Sequence, residues 1–202
     1  VGSFHQPRGV FIDTEVLTTL PQPEIISGLA EIIKYGAIQD VGFLWEVSRW
    51  LDRRDQFPLE QAIERSSAIK ANIVSRDERE NSLRIILNFG HTFGHALEAY
   101  LGYGALRHGE AVAYGMIAAS YLSEQLGLLP PQERDFLVDT IRKLPLPPLP
   151  KLEAHRLHSY LRRDKKSQNG KLNFILLNGL GKATVCDQVH EEMINQSIKA
   201  LS

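Results

Sequence analysis

Apolar residues recur at helical spacing along most of the chain, and this period constrains the fold more than any other feature. Ile25, Ile26, Leu29, Ile32 and Ile33 mark one helix, with Pro23–Glu24 suited to its first turn. Phe43, Leu44, Val47, Trp50 and Leu51 mark a second. Pro58 opens a third through Ala62, Ile63, Ile69 and Ile73. Phe93, Ala96, Leu97 and Leu101 follow on another, and Glu110–Leu126 and Gln132–Leu144 read as two more, with Gly127 as a carboxy-terminal cap. The run LPLPPLP (144–150) cannot continue a helix. Leu152–Arg163 is again helical, and the chain closes on a short helix from Glu191. Two apolar runs have strand character, Leu172–Leu177 and Ala183–Val189, with Asn169–Gly170 as a turn signal ahead of them. The expected fold is mostly α: a multi-helix domain with a small two-stranded β element.

Gly9–Val10–Phe11–Ile12–Asp13 reads as a further strand without a partner near it in sequence, either a tail from some other domain or an amino-terminal strand added to the main one. Composition bounds the function. Lys plus Arg is 23 and Asp plus Glu 24 in 202 residues, so no surplus of either sign favours nucleic acid. The longest apolar stretch, around Ala111–Leu122, is too short to span a bilayer. A single cysteine, Cys186, excludes an intrachain disulfide framework and fits a reducing compartment. A cytoplasmic protein with no nucleic-acid or membrane partner is the expectation.

The chemistry concentrates in a few segments. His91 and His95 sit in NFGHTFGH; four residues on a helix is a rotation of about 40° and a rise of about 6 Å, so both imidazoles share a face. That spacing suits two ligands of one metal ion, one ligand beside an acid–base group, or a plain surface pair. Gly90 and Gly94 on the neighbouring stripe would be costly inside a helix unless another group approaches their backbone closely. A third histidine, His108, stands at the start of an apolar helix, where a helix–loop–helix hairpin could fold it against His91. Glu110 suits the positive end of that helix better than a metal. Glu31 interrupts an apolar helix with Lys34 one turn on; alone the two read as an ion pair, but a carboxylate among apolar neighbours needs a cation or a metal. Two histidines and a glutamate with open positions make a sound catalytic Zn²⁺ set. Lys70, Arg84, Lys165 and Lys166 add cations, whereas Arg162–Arg163 reads as solvated charge. The chain has no GxGxxG after a strand and no P-loop.

The segments GLAEIIKYG (28–36), KANIVSRDERENSLRIILNFGHTFGHALE (70–98), RHGEAVAYGM (107–116) and DKKSQNGKLNFILL (164–177) resemble 3-dehydroquinate synthase, and LNFGHTFGHALE is highly specific. FHQPRGVFIDTEVLTTLP (4–21) resembles that family's crossover from its NAD-binding domain. The resemblance implies two parts: residues 1–21 as a remnant of the amino-terminal NAD-binding domain, and 22–202 as the helical metal- and substrate-binding domain. It implies conversion of 3-deoxy-D-arabino-heptulosonate 7-phosphate to 3-dehydroquinate and phosphate in the shikimate pathway, with NAD⁺ and one divalent metal, Zn²⁺ or Co²⁺. NAD⁺ would be held mainly by the missing domain, and the full enzyme would be a homodimer.

Carried over residue by residue, the implied metal ligands are Glu31, His91 and His108. The implied catalytic and substrate-contacting residues are His95, Lys34, Lys70, Arg84, Asn88 and Lys166, the last chosen over Lys165 in the DKK motif. Without the other domain the chain is expected not to turn over alone. The rivals are another sugar phosphate cyclase, such as a 2-deoxy-scyllo-inosose synthase-like enzyme, a metal-dependent polyol dehydrogenase, and a helical interaction module that binds no stoichiometric metal.

Overall fold

The computed structural model describes residues 7–77, 83–167 and 172–201, with the backbone alone for 163–167. The helices are α1 (Gln22–Gln39), α2 (Val41–Leu51), α3 (Leu59–Arg76), α4 (His91–Leu101), α5 (His108–Gln125), α6 (Pro131–Arg142), α7 (Ala154–Ser167) and α8 (Glu191–Lys199). Between α7 and α8 lie β1 (Phe174–Leu177) and β2 (Ala183–Cys186), paired antiparallel with Phe174 opposite Cys186 and Leu177 opposite Ala183. The mostly helical fold with one small hairpin agrees with the sequence period.

Helix α5 is the axis of the domain. It is apolar all round, from Ala111 and Val112 through Met116 to Leu122, and packs against α1, α4, α6, α8 and β1. Its buried Ser123 hydroxyl accepts the Leu177 N–H at 3.0 Å, which satisfies a strand donor inside the core. Gly127, at φ +70°, closes α5 as a left-handed cap. Tyr114 donates to the Pro147 carbonyl at 2.7 Å, tying the proline-rich connector to the same helix.

The α4–α5 contact is backbone on backbone. A side chain at Gly115 would strike the Gly90 carbonyl oxygen, and one at Gly94 would meet the Ala111 carbonyl oxygen at 3.1 Å. Gly90 is not inside the helix, as its spacing suggested; it is the cap of α4 at φ +82°, where a side chain would also meet Val112 O at 2.8 Å. A second crossing joins α1 to α5. The Ser27 hydroxyl accepts the Gly109 N–H at 2.9 Å, and a side chain at Gly109 would strike the Ser27 carbonyl. The helices α1, α2 and α3 are stapled by Arg65, which donates to Asp40 Oδ2 through Nε at 3.1 Å and Nη2 at 2.8 Å and pairs with Glu46.

Other expectations are corrected. Residues 9–13 form no strand, and Val10, Phe11 and Ile12 are exposed; an extended run without a neighbouring strand leaves its backbone groups to water, and the chain turns into a 3₁₀ helix at Thr14–Thr19. The α5 helix starts two residues before Glu110, and β2 ends at Cys186 rather than Val189. Asn169–Gly170 lie outside the described residues; the hairpin itself turns at 178–182, where Gly179 and Gly181 have positive φ.

The two kinds of glycine separate in a simple experiment. Gly115→Ala is expected to cost at least about 1–3 kcal/mol by overpacking against an immovable carbonyl. Gly28→Ala, on an open face of α1 with nothing within 4 Å, should be neutral or stabilising by up to about 1 kcal/mol. Urea unfolding midpoints of the two variants check this; equal midpoints would contradict the close crossing.

Candidate metal centre

Three helices bring Glu31, His91 and His108 together. Glu31 lies mid-way along α1, His91 is the first residue of α4 and His108 the first of α5. One ligand atom from each lies within 4.8 Å of the other two. The His91 and His108 ring centroids are 5.1 Å apart. Around them a cavity of about 300 Å³ is lined also by Lys34, Tyr35, Lys70, Arg84, Leu87 and Asn88. The 3₁₀ turn Arg84–Asn88 is aimed into it by Asp77 at the end of α3, whose carboxylate accepts the Arg84 N–H at 2.9 Å.

The ion pair expected of Glu31 is present, and its carboxylate still has an oxygen to offer. One oxygen, Oε2, pairs with Lys34 Nζ at 2.6 Å; the other, Oε1, is buried and has no hydrogen-bond partner among the described residues. A buried carboxylate oxygen without a donor is costly, and a cation shared with the two imidazoles would relieve that cost. The donor set of two nitrogens and one carboxylate suits Zn²⁺ or Co²⁺ with positions left for a ligand's oxygens. His91 Nδ1 lies 3.2 Å from the Phe89 carbonyl, which fixes Nδ1 as the protonated nitrogen and leaves Nε2 with the lone pair.

The charges tune one another. Burial, aided by the neighbouring Lys34 ammonium, lowers the His91 pKa to about 4. Lys34 is itself only 3% exposed, and burial lowers its pKa against the pull of Glu31. Burial and the Glu31 charge push Tyr35 up to about 12, so its hydroxyl stays protonated. His91 begins α4, whose positive end also disfavours its imidazolium.

His95 stands apart from this set. It is exposed and does not line the cavity, with its ring centroid 5.6 Å from His91 and 5.8 Å from His108. It belongs to a second group with Glu98 and His108, also with ligand atoms within 4.8 Å. Glu110 caps α5 as expected: its carboxylate accepts the Arg107 N–H at 2.7 Å. Arg162 is exposed and paired with Glu191 at 2.7 Å. Lys165 and Lys166 lie on α7 with side chains outside the described residues. Tyr35 and Glu98 were missed from sequence, although Tyr35 is four residues from Glu31 and Glu98 seven from His91, each at helical spacing.

The same arrangement has relatives. A family profile described as 3-dehydroquinate synthase C-terminal matches residues 28–167. Among solved structures, the chain is similar to a 2-epi-5-epi-valiolone synthase from Streptomyces hygroscopicus with NAD⁺ and Zn²⁺ bound (TM-score 0.79, 26% identity, 94% of this chain and 54% of that one). It is also similar to a 2-deoxy-scyllo-inosose synthase complexed with carbaglucose-6-phosphate, NAD⁺ and Co²⁺ (TM-score 0.75, 26% identity, 98% and 57%). Curated 3-dehydroquinate synthases from Acidithiobacillus ferrooxidans and Pseudomonas fluorescens are 44% and 43% identical over 204 and 205 residues. The fold is thus that of sugar phosphate cyclases. More narrowly, the chain belongs to the 3-dehydroquinate synthase family and corresponds to its carboxy-terminal domain. It spans 99% of its own length but about half, 56%, of each of those two relatives.

In the metal-free chain, His91 should titrate in an NMR pH series with a midpoint near 4, well below the ordinary 6.5. The unfolded chain takes up that proton first, so this group destabilises the fold as pH falls from about 6.5 towards 4 and has no effect above. Lys34→Met should move the midpoint upwards. A His91 midpoint near 6.5 in the wild-type chain would contradict its burial beside Lys34.

Proposed function

We propose that this chain is the metal- and substrate-binding part of a 3-dehydroquinate synthase, which converts 3-deoxy-D-arabino-heptulosonate 7-phosphate to 3-dehydroquinate and phosphate. The observation that carries the reading is the convergence of Glu31, His91 and His108 on one cavity that also takes in Lys34, Lys70, Arg84 and Asn88. Glu31, His91 and His108 hold the divalent ion, Zn²⁺ or Co²⁺, which supplies Lewis-acid polarisation of a substrate oxygen when bound. NAD⁺ supplies a reversible hydride acceptor and is assigned chiefly to the part of the relatives that this chain does not span.

The chain's own residues bind and orient. Lys34, Lys70 and Arg84 present three cations against a single carboxylate, which favours a substrate carrying carboxylate and phosphate. The Asn88 amide can both donate and accept towards substrate hydroxyls. His91 stays neutral and so keeps a lone pair for the ion. His95 is assigned the proton-handling role, and its exposed ring, with its centroid 5.8 Å from that of His108, supports this. Lys166 is kept as a substrate contact from the family motif. The wall contributed by the dinucleotide domain is needed for turnover, so the chain alone is expected to be inactive. A cytoplasmic homodimer is the proposed working form.

A second reading, another sugar phosphate cyclase, is favoured by the likeness to the inosose and valiolone synthases. The test is to supply the full-length enzyme with NAD⁺, Co²⁺ and either the heptulosonate phosphate or glucose 6-phosphate. Dehydroquinate and stoichiometric phosphate from the first substrate alone are expected. Cyclisation of glucose 6-phosphate would favour the second reading, and net NADH accumulation would favour a polyol dehydrogenase. In the same enzyme, His108→Ala should lower metal content and activity together, whereas His95→Ala should lower activity and leave the metal bound. The reverse pattern would assign the third ligand to His95.

A further inference from the structure

His91 and His108 are held differently, and the difference points to a residue outside the cavity. His91 is half-buried and its Nδ1 is engaged by the Phe89 carbonyl. His108 has a side chain 49% exposed, and among the described residues no hydrogen bond fixes its ring. Its ring lies beside Glu98, with Oε1 3.5 Å from His108 Nδ1 and a side chain only 17% exposed. Glu98 shares a face of α4 with His91 and His95, at steps of four and three residues. That face meets the start of α5, where Ser27 pins Gly109 and so the backbone beside His108.

We propose that Glu98 is the positioning residue of His108: its carboxylate accepts the His108 Nδ1–H, holds the ring, and presents Nε2 to the ion. The proposal rests on the reading of Glu31, His91 and His108 as ligands. It gives each imidazole an oxygen on Nδ1, a carbonyl for His91 and a carboxylate for His108. Such a partner fixes the tautomer of a ligating histidine and raises its basicity. The separation of 3.5 Å is long for a hydrogen bond, and a half-exposed ring can close it by a small rotation. The alternative use of the same atoms is an outer cation site made by His95, Glu98 and His108. Two of those three side chains are exposed, and the set competes with the inner one for His108.

The test titrates the metal-free full chain with Co²⁺ against a chelator and records the visible spectrum. Glu98→Ala should bind Co²⁺ about 10–100-fold more weakly, with shifted ligand-field bands. Glu98→Gln, whose amide oxygen still accepts, should keep the wild-type bands and bind with intermediate affinity. A ¹⁵N NMR spectrum of the Zn²⁺-loaded wild-type chain should show His108 ligated through Nε2 with Nδ1 protonated, a readout independent of whether the variants fold. Wild-type affinity and bands in Glu98→Ala, no difference between the two variants, or ligation through Nδ1 would overturn the proposal. A second equivalent of Co²⁺, lost in Glu98→Ala, would overturn it in favour of the outer site. No Co²⁺ binding by the wild-type chain would instead overturn the ligand set itself.

Discussion

The approach of the Gly115 backbone to the Gly90 carbonyl is what the site depends on. Because no side chain intervenes, α4 and α5 lie near enough for their first residues to face each other. The Ser27–Gly109 contact repeats the device between α1 and α5 and brings Glu31 to the same place. The three candidate ligands are therefore positioned by close approaches of the backbone at Gly90, Gly109 and Gly115, where little can relax. The left-handed Gly90 starts α4 directly behind His91, so the turn that allows the approach also sets the direction of the imidazole.

The electrostatics of the cavity follow from this enclosure. Lys34 sits almost wholly buried against one Glu31 oxygen, and the other oxygen has no partner among the described residues. Burial keeps His91 neutral, and the positive start of α4 acts in the same sense. The result is a pocket that lines up Lys34, Lys70 and Arg84 beside a neutral His91. Such a lining suits a metal at the imidazoles and an anionic ligand at the cations.

The period of the apolar residues made the helices legible, since it depends only on which face is buried. Glu31 was legible too, as a carboxylate breaking an apolar face. The ambiguity between His95 and His108 as third ligand was not resolvable from spacing, because residues four apart on a helix and residues on opposing helices can be equally close. The structure draws both His95 and His108 near His91 but places only His108 on the cavity wall. Gly90 was misread as interior to a helix because a spacing rule cannot see the sign of φ. The strand expected at 9–13 failed for a related reason: local sequence gives a strand's side-chain pattern and says nothing about whether a neighbouring edge exists to pair with it.

The three side chains also come from well-separated stretches of chain, one of them on the helix that opens the described domain core. An ion held by all three would act as a reversible cross-link between α1 and the α4–α5 pair. Loading would then raise the resistance of α1 to local opening as well as complete the cavity, by the mass action of a ligand that binds only the folded form. Withdrawal of the ion would leave α1 attached through its apolar face and the Ser27 contact, so amide exchange along α1 would become a gauge of metal supply.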